Sequence, residues 1–151
     1  MGTVYFYHLT DSPLEDALPQ ILDRACAQGW RVLVRGHHQA LLDRLDQVLW
    51  TGPEDSFRAH GLSGDHDADQ PILLGVDLPA KGFDCVISVD GADLTPAEIA
   101  SAARACIIFD GHNDDALQRA RGQWKTLTAA AVSAQYWAQD DGRWTKKAEA
   151  G

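Results

Sequence analysis

From Thr3 to Leu9 the chain reads TVYFYHL, setting Val, Phe and His in alternation against Tyr5 and Tyr7, a pattern dense in β-formers that predicts a first strand. Pro13 opens a helical stripe of Leu14, Leu18, Ile21, Leu22 and Ala25, with Ser12 as its cap and Gly29 at its end. Trp30 to Val34 predicts a second strand. His38 to Trp50 follows as a helix carrying Leu41, Leu42, Leu45, Val48 and Leu49. A βαβα order of this kind implies a parallel sheet with helices on its faces.

The second half is less regular. Thr51 to Asp55 reads as a loop, Phe57 to Leu62 as a short strand, and the polar run from Ser63 to Gln70 as a mobile surface loop. Pro71 to Val76 and Phe83 to Val89 read as buried strands, and Thr95 to Arg104 as a helix with a Thr-Pro start. Cys106 to Phe109 is an apolar, β-branched run broken by Asp110-Gly111. Asn113 can then cap a helix whose first turn holds Asp114 and Asp115. On that helix Ala116, Leu117, Ala120, Trp124 and Leu127 recur at steps of three and four, a stripe that can lie on a sheet. Gln135 to Trp144 predicts a last strand and turn, and residues 145–151 a flexible tail. The expectation is one Rossmann-like α/β domain over residues 1–151, with an open, mostly parallel sheet and helices on both faces.

Charge divides the chain. Residues 1–118 hold seven Lys and Arg against nineteen Asp and Glu, a net of −12, whereas residues 119–147 hold six against two, a net of +4. The overall balance of −9 argues against sequence-independent binding to a duplex backbone, which needs an extended basic footprint. The three cysteines, Cys26, Cys85 and Cys106, lie in or beside apolar segments and form no C-x-x-C, so buried, reduced thiols in a cytoplasmic protein are expected, without structural zinc. The N-terminus lacks a basic region followed by a long apolar one, and no window reaches the length of a membrane span, so neither export nor membrane insertion is expected.

Within the basic region Arg121 and Lys125 stand one helical turn apart beside Trp124. On its own such a pair reads as a solvated helix face balanced by Asp114 and Asp115. A second constellation is Asp110-Gly-His-Asn-Asp-Asp115: carboxylates just past a strand's C-terminal end occupy the usual ligand crevice of an open α/β sheet and could hold Mg²⁺ for phosphoryl transfer. No G-x-x-x-x-G-K-[ST] loop accompanies it, and a turn with a capped helix explains the same residues. His37-His38 diverge on a helix start, and Gly61-Leu62-Ser63-Gly64 lacks the spacing of a nucleophile elbow.

Arg44 to Leu62, RLDQVLWTGPEDSFRAHGL, is more specific. A helix ending in L-D-x-x-L-W, a Pro-containing loop and S-F-x-x-H-x-L closely resembles the chi subunit family of bacterial DNA polymerase III. Phe6-Tyr7-His8-Leu9, the R-V-L-V run at Arg31 to Val34, the Pro71-Ile72 strand start and A-R-x-x-W-K at Ala120 to Lys125 follow in that family's order and spacing, and the likeness covers nearly the whole chain.

The resemblance implies an accessory clamp-loader subunit without catalytic activity, cofactor or metal. It implies two protein partners: the acidic C-terminal tail of the single-stranded-DNA-binding protein, and a psi subunit or other clamp-loader subunit. Carried over by motif, tail binding falls on Arg121, Trp124 and Lys125, with Trp50 close by. The residue types are suited to such a ligand, because a tail with several carboxylates and an apolar end needs an arginine that can grip a carboxylate, a second cation and an apolar slot. Some family members carry a basic residue where this chain has Leu117, a loss for which Arg119 or the tail lysines would compensate.

Overall fold

The apolar runs at 32–36, 85–88 and 104–110 lie almost wholly out of solvent and pair side by side, which requires helices on both faces of the sheet they form. A computed structural model describes residues 2–10, 13–50, 60–62, 72–76, 82–140 and 143–150, with the backbone alone at 49–50 and 60–62. In chain order the elements are β1 (Thr3–Leu9), α1 (Leu14–Ala27), β2 (Val32–Gly36), α2 (Gln39–Trp50), β3 (His60–Leu62), β4 (Ile72–Val76), β5 (Cys85–Ser88), α3 (Pro96–Ser101), β6 (Arg104–Asp110), α4 (Asp114–Ala129), β7 (Ser133–Asp140) and β8 (Arg143–Ala150). The strands form one sheet in the order β3-β4-β2-β5-β6-β1-β7-β8. Neighbours run parallel except β7 and β8.

Each face of the sheet carries its own core. Under α1 and α2, Leu18, Leu22, Leu42 and Leu45 pack on Val32, Val34, Ile87, Cys106 and Ile108. Under α3 and α4, Ile99, Ala120 and Leu127 pack on Val4, Phe6, Ile107 and Phe109. Strand alternation therefore sends Tyr5 and Tyr7 to one face, and Phe6 and His8 to the other.

Several expectations are corrected. Residues 145–150, expected as a tail, belong to β8, which pairs with β7 through a register shift at Tyr136/Trp137. Their strand character is hidden by a polar composition, which an edge strand tolerates. Cys85 and Cys106 are buried and free, but Cys26 is exposed: Leu22 and Ala25 take the inward positions of α1, and the next residue turns outward. Pro13 itself occupies the cap position of α1, with no side-chain cap. Ser12, the loops at 51–55 and 63–70, and the start of the strand expected at 57–62 lie outside the described residues.

One buried cation fixes the C-terminal edge of the sheet. Arg35, at the end of β2, donates through Nη1 to the Asp93 carbonyl at 3.0 Å and pairs with the Glu98 carboxylate. Glu98 also closes a capping box with Thr95 at the start of α3. The hydrogen bonds from Arg35 hold the Glu98 carboxyl down at about 2. A depressed carboxylate contributes stability that is complete above its ordinary value of 4.5 and fades as pH falls toward 2.

At the other end of α4 the chain leaves through a Schellman motif: Ala131 N–H donates to Thr128 O at 3.0 Å and Val132 N–H to Leu127 O at 3.1 Å. Ala131 is held at φ 64°, where a Cβ costs about 1 kcal/mol.

Two measurements test these points. Ala131→Gly is expected to raise unfolding free energy by about 0.5 kcal/mol in urea titrations, the relief of that strain less the extra entropy of an unfolded glycine. Arg35→Met is expected to cost about 3 kcal/mol at pH 7, the lower end for breaking a buried pair because Glu98 is 24% exposed, and the deficit should shrink as pH falls below 4.5. A deficit independent of pH would remove the ion pair as its cause.

Candidate functional site

The region around α4 is set by the turn that precedes it. Gly111 N–H donates to Leu9 O at 2.8 Å, and Asp110 Oδ1 accepts from His112 N–H at 2.9 Å. A Cβ at Gly111 would overlap the His8 ring, so this glycine is what lets His8 lie beneath the turn. Asn113 Oδ1 then accepts from Ala116 N–H at 3.0 Å and caps the helix.

Only Ala120 and Leu127 of α4 are fully buried; Ala116, Leu117 and Trp124 pack against the core at its margin. Trp124 stands edge-on to Phe6, centroids 5.3 Å apart, and to Tyr136 at 5.9 Å. Tyr136 stacks on Phe6 and meets Phe109 and His8 edge-on, and its hydroxyl lies 2.8 Å from His8 Nδ1. Beside this cluster stands Arg121. Burial lowers the His8 pKa first, and the charges of His112 and Arg121 lower it further, opposed by Asp110. Burial raises the Tyr136 phenol, and Arg121 draws it back.

Arg121 and Lys125 are both exposed, and among the described residues neither makes an ion pair. Asp114 and Asp115 do not neutralise them. Gly122, next to Arg121, has open space where a Cβ would stand, so the backbone is bare beside the two cations. Arg121, Trp124 and Lys125 are thus brought together: two available cations, an indole edge and an aromatic bed beneath. Arg119 is not available to replace a basic residue at Leu117, since it donates to Gly91 O and pairs with Asp93 at 3.3 Å. Lys146 and Lys147 are likewise paired, with Glu149 and Asp140.

Trp50 is not brought to this place. It ends α2, whose inward residues pack on the opposite face of the sheet, against β2, β3 and β4. β4 lies five strand spacings from β7, about 24 Å at the usual ~4.8 Å each. What sequence reasoning missed is Tyr136, with Phe6 and His8: the alternation of the first strand was legible, but which strands would flank it was not.

A crevice of about 780 Å³ opens where β6 and β1 lie side by side and α4 and α1 leave toward opposite faces. Asp110, Asp90, Glu15 and Asp115 line it, and most are committed: Asp110 to the turn, Asp90 to the His37 and His38 amides, Glu15 to Arg44 at 3.2 Å. Among the described residues no three His, Cys, Asp or Glu side chains converge as a ligand set.

Residues 1–135 match the family described as DNA polymerase III chi subunit, HolC. The chain belongs to the DNA polymerase III chi subunit family. DNA polymerase III subunit chi of Escherichia coli (strain K12) is 27% identical over 143 residues, spanning 88% of this chain and 95% of that protein. The flagellar accessory protein FlaH of Methanocaldococcus jannaschii superposes with a TM-score of 0.40 at 8% identity, over 95% of this chain and 75% of FlaH, a likeness too loose to bear on function. Chi is an accessory subunit of DNA polymerase III, so this chi-family chain is a replication protein. Among the described residues no helix is long and apolar enough to cross a membrane.

The arrangement around Arg121 can be checked without a ligand. In Arg121→Ala the His8 ring, followed by NMR titration, should take up its proton at higher pH than in the parent chain, because one of the charges opposing protonation is gone. The His8 pKa should still lie below its ordinary value, since burial is the larger cause.

Proposed function

We propose that this chi-family chain is a non-catalytic cytoplasmic adaptor that ties the DNA polymerase III clamp loader to single-stranded-DNA-binding protein by gripping the acidic C-terminal tail of that protein. In this reading Arg121 takes a tail carboxylate, Lys125 supplies a second cation one turn on, and the terminal apolar side chain rests on the exposed edge of Trp124. The link to the clamp loader is made through a psi subunit or another clamp-loader subunit on a separate surface.

The observation that carries the reading is a pair of exposed cations, unpaired among the described residues, beside a half-buried tryptophan, on one helix of a chain whose net charge is otherwise strongly negative. Charge-assisted contacts to carboxylates are the strong ones, and two of them with an apolar seat suffice for a modest affinity. Modest affinity is enough where many tails are displayed on one coated strand, because each release is followed by local recapture. Exposed charges are screened by salt, so the contact weakens as ionic strength rises.

The test is a titration with a short acidic peptide ending in Pro-Phe, followed by calorimetry and tryptophan fluorescence and repeated with the C-terminal carboxylate amidated. Saturable micromolar binding weakened by amidation and by salt is expected. Arg121→Ala should lose about 1.5–3 kcal/mol of it, the range for a charge-assisted bond. Unchanged affinity at low salt would remove Arg121 from the site, and no binding at all would end the adaptor reading in this form.

A further inference from the structure

On the face of the sheet opposite α4, α1 packs chiefly over β2 and β6 and leaves β1, β7 and β8 partly uncovered. A pocket of about 210 Å³ opens there between α1 and the strands, and its walls are aromatic. Trp137 of β7 lies near-parallel to Tyr5 of β1, centroids 6.4 Å apart at 29°. Trp144 of β8 stands edge-on to Tyr7 at 4.9 Å. The Arg104 guanidinium sits 4.4 Å over Tyr5 and 5.1 Å from the Trp30 ring. Arg24 of α1 forms part of the rim.

Neither Arg24 nor Arg104 makes an ion pair among the described residues, in a chain of net charge −9 where acidic partners abound. Two cations without acids, set against partly exposed rings, complement a ligand that is flat, aromatic and anionic. The geometry points to a base of single-stranded DNA as the occupant, stacked against the Trp137–Tyr5 side of the pocket with an adjoining phosphate on Arg24. Single strands expose base faces that a duplex hides, and stacking with a few cations is the usual way of holding them. Such a site needs no broad basic surface, so it is compatible with the acidic balance that argues against duplex binding. An acidic peptide, by contrast, finds its unpaired cations on α4, on the other side of the sheet. This inference is independent of the tail-binding reading.

The test uses the full chain carrying Trp124→Phe, so that a peptide seated on α4 is silent at that ring, titrated with oligo(dT) at low salt while tryptophan emission is followed. Saturable quenching is expected, and the logarithm of the association constant should fall against the logarithm of salt with a slope of only about −0.7, as for one phosphate contact on a single strand. Arg24→Glu, a change at an exposed position of α1, should weaken binding about tenfold, the size of one charge-assisted bond. Trp137→Ala, with its fold verified by circular dichroism, should weaken it at least as much. Absence of quenching, or affinity unaltered by Arg24→Glu, overturns the proposal. So does equal affinity for thymidine monophosphate, which would make the pocket a nucleotide site, or quenching by the acidic peptide in place of the oligonucleotide, which would make it a peptide site.

Discussion

Both candidate surfaces depend on β1 being held between β6 and β7. Because successive side chains of a strand point to opposite faces, fixing the register of β1 fixes which aromatic groups meet on each side. Phe6 falls opposite Ile107 and Tyr136, and so builds the bed on which Trp124 leans. Tyr7 falls opposite Ile108 and Trp137, and with Tyr5 builds the pocket on the other face. A slip by one residue would exchange the two sets and dismantle both surfaces at once. The register is held at the end of the strand as well, where Gly111 bonds back to Leu9 and His112 Nε2 donates to the Thr10 carbonyl at 2.7 Å.

The fold was legible wherever burial left a periodic mark. β1 runs over Thr3–Leu9 as its alternation predicts, α2 ends at Trp50, and Asn113 caps α4. The mark fails at the edges. β8 reads RWTKKAEA, with Trp144 its one large apolar residue, because an edge strand with a single neighbour has little to bury. Strand order was out of reach for a different reason: the chain starts near one side of the sheet, crosses to the other and returns, and no local pattern records that Thr3 will pair with Arg104 or Leu9 with Asp110.

At the site, the helix and its cations were legible but their surroundings were not. Arg121 and Lys125 are one turn apart on any helix, and their association with Trp124 follows from the 3.6-residue period alone. That both cations are unpaired among the described residues, while Arg119 two residues before Arg121 is tied to Gly91 and Asp93, depends on where the 90–93 loop lies. Trp50 shows the converse. Its motif is specific, yet a motif carries no face, and the topology sets α2 on the other side of the sheet. The aromatic pocket on that second face left even less trace, because Tyr5, Trp30, Trp137 and Trp144 come from four separated stretches of the chain.

For an acidic body to grip an acidic or phosphate-bearing partner, as proposed for both surfaces, its attraction must stay local. Over a Debye length of roughly 8 Å at physiological salt, a ligand on Arg121 and Lys125 feels those two charges and little of the distant carboxylates. The nearer acids matter more, and their placement is telling. Asp110 is turned into the His112 amide, Asp93 is drawn to Arg119, and Glu98 is tied to Arg35. Asp110, Asp93 and Glu98 are thus engaged by neighbouring donors and Asp114 and Asp115 sit in the first turn of α4, whereas Arg121 and Lys125 farther along the helix make no ion pair among the described residues. Contact confined to so few charges is weak and quickly reversible.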